Sequence, residues 1–305
     1  KDFYSLHTGI SINNIRRLKY SLPEEVKISS EYLEHLIDSI TSLGISKKAF
    51  PGCQVLLAKD GKVIFNKSYG FLTYENKLPV RNDVLYDLAS VTKVSAPLPA
   101  VMKLYDEKKI DLNSPYSTYL SEFKNSNKSA ITVRDVLTHQ ARLQAFIPFY
   151  LEPGTKTTVR KGMFKTQPSE QFQIRISKNL YARNDFDKIV IDDIAKSPLL
   201  SKKEYVYSDL GMGLFRFVTE RLTKESFPAY LNQEFYKPLG AVSTGFRPYE
   251  RFPIAQIAPT ENDNYFRNEL LQGYVHDEMA AVLGGVSGNA GLFSTANDLA
   301  KLMQM

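Results

Sequence analysis

The sequence predicts an α+β fold, in which an antiparallel sheet packs beside a helical region. Two β-rich runs within residues 53–69 flank Asp60-Gly61, a dipeptide that is typical of tight hairpins. Segments with apolar residues at helical spacing lie on both sides of this hairpin, at residues 31–43 and again at 210–222. Because the chain has 305 residues, it can form one large core or two smaller ones.

The elements are expected to follow one another as helix, strand, turn and strand, and then as a helical part from about residue 87 to 240. The first helix covers residues 31–43 and has Gly44 as a plausible C-terminal stop. The two strands cover residues 53–58 and 63–69. This order places the hairpin directly before the helical part.

The later helices carry local signals of their own. A helix is expected from Ser90 to Lys109, with a kink because Pro97 and Pro99 cannot donate helical hydrogen bonds. A short helix is expected at residues 132–137, with its threonine as the cap, and another begins at residue 295.

The domain organisation is predicted from changes in composition. Residues 1–28 are polar and irregular, and we expect a leader or an inter-module linker there, before a single domain that spans residues 29–305. The stretch from about 151 to 203 is basic, polar and aromatic without a clear core pattern. It is interpreted as a long insertion, of the kind that often shapes a binding cleft.

The composition excludes several classes of function. The formal net charge is +6, but Lys and Arg are scattered, which argues against a nucleic-acid partner. No run approaches the roughly 18 apolar residues of a membrane helix, and no Gly-rich phosphate loop is present. The single cysteine, Cys53, is interpreted as an apolar strand residue, and His276-Asp277-Glu278 lacks the spacing of a metal site. We therefore predict no cofactor, no metal, and a small-molecule or peptide substrate.

The tetrapeptide Ser90-Val91-Thr92-Lys93 carries the main chemical signal. On a helix, residues three apart share one face, so the serine hydroxyl and the lysine amine are neighbours. A serine becomes a nucleophile when a base removes its proton, and a lysine can be that base in a suitable environment. The same spacing also occurs by chance, with a capping serine and a solvated lysine, so the pattern alone leaves both interpretations open.

A second candidate partner lies about 115 residues further on. Tyr207 is followed by a small polar pair and then by a helix. A tyrosine held near cations can act as a general base or pass a proton to a leaving group. The alternative is a half-buried core tyrosine, and His139 is likewise expected to be a structural hydrogen-bonding residue rather than a catalytic one.

Together these segments resemble the serine β-lactamase and penicillin-binding-protein superfamily, specifically its class C and esterase branch. Residues 87–93 resemble its first motif, Tyr207-Ser208-Asp209 its second, and residues 135–139 the Leu-Leu-Thr-His segment between them. Residues 284–299 resemble the stretch before its last helices. The likeness runs from about residue 30 to the end of the chain.

The resemblance implies a β-lactamase-like fold with its site between the sheet and the helical part. It implies Ser90 as the acylated nucleophile, with Lys93 and Tyr207 as the residues that handle its proton. We also predict substrate-binding roles for Asp209, Asn289 and Gly291.

The chain also departs from the pattern of the superfamily. Asp209 stands where many members have Asn, and Arg142 stands where a Gly is usual. No Lys- or His-Thr-Gly motif follows Tyr207; residues 289–291 have only a loose likeness to it, and His7-Thr8-Gly9 lies at the wrong end of the chain. We therefore expect that the C-terminal strands of the fold are missing.

A narrower resemblance suggests a biological setting. Residues 18–26, 49–64 and 275–300 resemble the C-terminal β-lactamase-like module of Bacteroidetes proteins, in which a β-N-acetylglucosaminidase precedes that module. The expected function is acyl transfer from an amide, an ester or a β-lactam, including cell-wall-derived peptides, in the periplasm or cell envelope. The alternative is a non-catalytic binding module that retains the fold.

Overall fold

The computed structural model describes residues 18–75 and 77–304. The strands of this part are, in chain order, β1 (Lys19–Tyr20), β2 (Gly52–Lys59), β3 (Lys62–Gly70), β4 (Tyr86–Asp87), β5 (Phe164–Lys165), β6 (Ile174–Arg175), β7 (Tyr181–Ala182), β8 (Gly245–Phe246), β9 (Pro259–Asp263), β10 (Glu269–Gln272) and β11 (Leu292–Ser294). The α-helices are α1 (Ser30–Ser46), α2 (Thr92–Ser95), α3 (Pro97–Asp106), α4 (Val133–Leu137), α5 (Phe186–Lys196), α6 (Asp209–Thr223), α7 (Phe227–Leu231), α8 (Lys237–Leu239), α9 (Glu278–Val282) and α10 (Ala296–Met303).

The predicted hairpin is confirmed. Strand β2 runs antiparallel to β3, with Gly52 opposite Gly70 and Lys59 opposite Lys62. Asp60 and Gly61 form the turn with φ angles of 52° and 72°, the left-handed conformation that this dipeptide tolerates. The sheet order is β1-β3-β2, so β2 pairs with a single strand among the described residues.

The predicted leader is described only from residue 18 onward. Lys19 and Tyr20 pair in parallel with the first residues of β3, and Val26 is buried. The described part of residues 1–28 therefore contacts the domain, and its role as a linker stays a prediction. His7-Thr8-Gly9 lies outside the described residues.

Helix α1 is longer than the sequence predicts. The predicted stop at Gly44 is wrong, because the helix continues to Ser46. A Cβ at Gly44 would lie 2.6 Å from the Phe50 ring, so this glycine allows the close approach of an aromatic side chain. Its place in the chain thus reflects packing rather than helix termination.

The predicted break after the first motif is confirmed. Helix α2 ends at Ser95, Ala96 has non-helical angles (φ −128°, ψ −75°), and α3 begins at Pro97. The break turns the short helix that follows Ser90 away from the direction of α3. The capping predictions hold as well: Thr132 and Asp135 form a reciprocal capping box at α4, and Thr295 caps α10.

Residues 151–203 pack into the core, which the sequence analysis did not predict. They form the small sheet β5-β7-β6 and helix α5. Their buried side chains join the main hydrophobic cluster, which also takes residues from α3, α4, α6, α9 and β11, among them Leu104, Val136, Ile176, Phe186, Val190, Ile194, Phe215, Ala281 and Phe293. This segment therefore stabilises the helical part, and only its end, at Leu200, contacts the segment around Arg142.

A third small sheet brings distant parts of the chain to the candidate site. Its order is β4-β11-β8, and both pairings of β11 are antiparallel. Phe293 lies opposite Asp87, and the N–H of Leu88 donates to the carbonyl of Leu292 at 2.9 Å. Residues 287–291 therefore lie beside the segment that carries Ser90. In residues 18–75 and 77–304, every helix is too short or too polar to cross a bilayer.

Candidate active site

The turn that carries Ser90 follows directly after β4. Ala89 has a φ of +44°, which an alanine rarely adopts, and Ala89–Val91 forms a single 3-10 turn that leads into α2. Ser90 is exposed at this helix start. Backbone N–H groups at a helix N-terminus have no intrahelical acceptor, so they are available to a developing oxyanion.

Asp87 holds this turn, and the sequence analysis missed its role. One carboxylate oxygen accepts the N–H of Ala89 and the other accepts the N–H of His276, both at 2.9 Å. Burial raises the pKa of Asp87 above its ordinary value. The carboxylate thus fixes the left-handed residue before the nucleophile and ties it to a segment 189 residues away.

Lys93 connects the candidate site residues. It is only 4% exposed, and its Nζ lies 2.8 Å from Ser90 Oγ, 2.5 Å from Asp209 Oδ1 and 3.2 Å from the carbonyl of Asn289. Three acceptors match the three N–H bonds of an ammonium group. The structure therefore brings the predicted serine and lysine together and adds Asp209 as the counter-ion.

Tyr207 presents its ring to the same lysine. Lys93 Nζ lies 4.8 Å from the centre of the Tyr207 ring, within the range of a cation–π contact. The ring is 43% exposed, so one face meets Lys93 while the side chain borders solvent. The contact involves the ring, since the hydrogen bonds of Nζ go to the other three groups.

Asp209 is placed by the start of α6. Ser208 caps this helix, and its hydroxyl donates to the carbonyl of Gln144 at 2.6 Å. The N–H of Asp209 donates to the carbonyl of Ala145 at 2.9 Å. These bonds fix the backbone of the second motif, so the carboxylate of Asp209 reaches Lys93 from a rigid position.

Asn289 and Gly291 lie beneath the site. The Asn289 side chain is fully buried; its amide donates to Asp277 at 3.0 Å and its oxygen accepts from Ser287 at 2.6 Å. Gly291 has a φ of +108°, and a Cβ there would lie 2.6 Å from the carbonyl of Gly285. Both residues therefore have a structural reason for their identity, and their predicted contacts with substrate stay predictions.

Two of the noted departures have a local explanation. Arg142 has a φ of +59°, the left-handed conformation that glycine adopts most easily. Its Nε donates to the carbonyl of Leu200 at 2.6 Å, and the N–H of Leu200 donates back to the carbonyl of Arg142 at 2.8 Å. This reciprocal pair holds an arginine where the superfamily usually has glycine.

The acidic residues after His276 serve the backbone. Asp277 caps α9 by accepting the N–H of Ala280 at 2.7 Å, and burial raises its pKa. Across the described ranges, no three His, Cys, Asp or Glu side chains are grouped closely enough to hold a metal ion. Cys53 is half-buried in β2, where burial raises the pKa of its thiol.

Family and sequence comparisons agree with this arrangement. The β-lactamase family model matches residues 31–305. An N-acetylmuramyl-L-alanine amidase of Bacillus subtilis is 32% identical over 283 residues, which is 84% of this chain and 59% of the relative. A Salmonella gallinarum protein provisionally named D-alanyl-D-alanine carboxypeptidase is 31% identical over 315 residues, which is 94% of this chain and 67% of the relative. The chain thus spans 59% of the length of the Bacillus relative.

Solved structures share the fold at low sequence identity. A class C β-lactamase superposes with a TM-score of 0.64 at 18% identity, over 91% of this chain and 66% of the other. The hydrolase EstCE1, described as having promiscuous acyltransferase activity, gives 0.63 at 21% identity, over 89% and 71%. The octameric penicillin-binding-protein homologue of Pyrococcus abyssi gives 0.63 at 19% identity, over 89% and 55%. With the family model covering most of its residues and this fold confirmed, the chain belongs to the β-lactamase family.

Proposed function

We propose that the protein is a serine hydrolase that forms an acyl-enzyme on Ser90. The observation that carries this proposal is the 2.8 Å contact between an exposed Ser90 hydroxyl and a buried Lys93 amine at a helix start. A structural serine would need neither an inward-facing lysine nor the left-handed residue that precedes it. The names of the relatives support the same class of chemistry.

The proposed reaction is a two-step acyl transfer. Ser90 Oγ attacks the carbonyl carbon of the substrate, and its proton leaves toward Tyr207, because Lys93 already donates to Oγ in this structure. The ammonium stabilises the developing alkoxide, and helix-start N–H groups face the oxyanion. The bond to the leaving group then breaks as that group takes the proton. Water next attacks the acyl-enzyme carbonyl, which breaks the ester and returns a proton to Ser90.

The proposed substrate class is an amide in a cell-wall-derived peptide. This choice rests on relatives named as a muramyl-alanine amidase and a D-alanyl-D-alanine carboxypeptidase. A β-lactam or a simple ester contains the same acyl group and stays an alternative within the class. Activity on such peptides would place the protein in the periplasm or cell envelope, and fusion to a glycosidase module stays a prediction.

Asp209 is the proposed substrate contact within this site. Its carboxylate lies at the start of α6, one oxygen binds Lys93, and its side chain is 25% exposed. A carboxylate accepts hydrogen bonds only, whereas the Asn usual at this position also donates. We therefore expect the substrate to present an N–H group rather than a carbonyl to Asp209.

Turnover of a substrate panel tests the proposal. The panel contains an N-acetylmuramyl-L-alanyl peptide, a D-alanyl-D-alanine peptide, a chromogenic cephalosporin and p-nitrophenyl acetate. We expect hydrolysis of at least one member, with the muramyl peptide favoured, and loss of that activity in Ser90→Ala. Ser201→Ala, at an exposed serine outside the site, is the matched control. A protein that binds a member of the panel without turning it over would instead be a binding module that retains the fold.

A further inference from the structure

His139 contacts the segment that carries Tyr207 from several directions. It follows α4 directly and has a φ of +55°, a left-handed conformation that is costly for a residue with a side chain. Its carbonyl accepts the N–H of Val206 at 2.9 Å. Its ring lies 4.6 Å from the Tyr207 ring, tilted by 34°, and 5.8 Å from the Tyr205 ring, edge to face.

One of these contacts fixes the chemical form of the imidazole. The N–H of Ser208 donates to His139 Nδ1 at 3.1 Å. Because a backbone N–H can only donate, Nδ1 must carry a lone pair, and the ring proton of the neutral form lies on Nε2. A doubly protonated imidazolium has no acceptor and cannot make this bond.

The charged groups around His139 come from three neighbouring elements. Lys93 on α2 and Asp209 on α6 face the ring, and Tyr205 and Tyr207 flank it. On the helix before it, Asp135 is paired with Lys203 at 2.8 Å. Burial is the main cause that lowers the pKa of His139, and the charge of Lys93 adds to it while Asp209 opposes it. The neutral form is therefore favoured down to more acidic pH than for a free histidine.

We propose that neutral His139 is a positioning residue of the candidate site, which holds the Tyr207 segment against Lys93 through its Nδ1 acceptor and releases it on protonation. The inference rests on the proposed function, because Tyr207 must take part in the reaction for its position to affect turnover. It goes beyond that function by assigning a part of the acid sensitivity to one residue outside the reacting groups.

The direction of the pH effect follows from the lowered pKa. Above the folded-state pKa, His139 is neutral in both folded and unfolded chains, and its hydrogen bond contributes fully. As the pH falls below the unfolded value of 6.5 and through the lower folded value, the unfolded chain binds the proton first and stability is lost. Turnover should fall over the acid part of the same range, since the protonated ring releases Ser208.

The variant His139→Asn separates positioning from bulk packing. The Oδ1 of asparagine can take the place of Nδ1 as acceptor, asparagine tolerates the left-handed backbone, and its side chain does not titrate. We expect this variant to keep most of the turnover at about pH 8 and to shift the acid limb of the kcat profile to lower pH. His139→Ala should lower kcat by up to about 10²-fold, the scale of a 1 Å misplacement of a reacting group, with a smaller effect on KM. His35→Asn, at an exposed histidine on α1, is the matched control and should change neither.

Nitrogen NMR of the protein provides a readout that does not depend on activity. We expect the His139 signal, identified by its loss in His139→Asn, to report the Nε2–H tautomer at neutral pH and to titrate below 6.5. An Nδ1–H tautomer, an unchanged acid limb in His139→Asn, or full turnover in His139→Ala would each overturn the proposal. If Ser90→Ala keeps its turnover, the proposed function fails instead, while the tautomer measurement still stands on its own.

Discussion

The two halves of the candidate site are held in place by different chemistry. On the nucleophile side, the Asp87 carboxylate accepts N–H bonds from Ala89 and His276. On the tyrosine side, the neutral ring of His139 accepts one N–H bond from Ser208. Lys93 joins the halves, since it contacts Ser90 on one side and Asp209 on the other.

This difference indicates how acid should act on the site. Protonation removes a negative charge on the nucleophile side, where burial already raises the pKa of Asp87. On the tyrosine side it creates a positive charge at His139, close to Lys93. Both supports weaken as the pH falls, but through opposite changes of charge, so single variants can distinguish them.

Loss of Lys93 should have the largest effect, because it serves both halves. We expect Lys93→Ala to lower turnover by about 10²-fold or more, and Tyr207→Phe to do so by a similar factor, the usual range for proton transfer by a side chain. The double variant should lose much less than the product of the two factors, since the groups act on one proton path. Steady-state kinetics of the four proteins measures this, and losses that multiply would mean that Tyr207 only packs against Lys93. Lys124→Ala, at an exposed lysine, is the control.

Asp87 tests the nucleophile half alone. Asp87→Ala removes both acceptors, so Ala89 loses support for its left-handed conformation and Ser90 shifts. We expect the rate of acylation by an activated ester to fall by about 10²-fold, with a smaller loss in Asp87→Asn, which keeps one acceptor oxygen. Stopped-flow acylation rates check this against Asp83→Asn, at an exposed aspartate four residues earlier. Equal rates in Asp87→Ala and the unchanged protein would remove Asp87 from the account.

The smallest effect is expected on stability, at a cation remote from both halves. Lys128 is fully buried, donates to Asn127 and to the carbonyls of Ala195 and Ser197 at the end of α5, and has no carboxylate partner. Burial lowers its pKa from 10.5 to about 8. Between about pH 8 and 10 the folded chain has therefore lost a proton that the unfolded chain keeps, so the free energy of unfolding should rise with pH.

Denaturant unfolding across that range measures the slope. Lys128→Met should flatten it, while Lys124→Met should leave it unchanged. Turnover at neutral pH should be retained in Lys128→Met, because the residue lies outside the site. A slope that survives Lys128→Met would assign the alkaline dependence to other groups and would weaken the separation of stability from site chemistry.

Local signals were sufficient to predict much of the fold and the reacting residues. The hairpin at Asp60, the break at Pro97 and the contact of Ser90 with Lys93 all depend on residues close in sequence. Tyr207 required the motif as well, since 114 residues separate it from Lys93 and only the fold brings them together.

The supports could not be predicted, because they depend on contacts between distant segments. Asp87 meets the backbone of His276 across 189 residues, and Lys93 meets the carbonyl of Asn289 across 196. A carbonyl is present at every residue, so the sequence contains no signal for its use. Helix α5 was missed for another reason: its buried residues, such as Phe186 and Val190, lie among polar neighbours that obscure the apolar face.

Covalent labelling tests the central claim most directly. The protein is incubated with a fluorophosphonate or a penicillin probe, and the adduct is located by mass spectrometry of its peptides. The account predicts one adduct, on Ser90, which is absent in Ser90→Ala and retained in Ser201→Ala. An adduct on another serine, or full labelling of Ser90→Ala, would contradict it, and a protein that binds the probes without any acyl-serine would be the non-catalytic module.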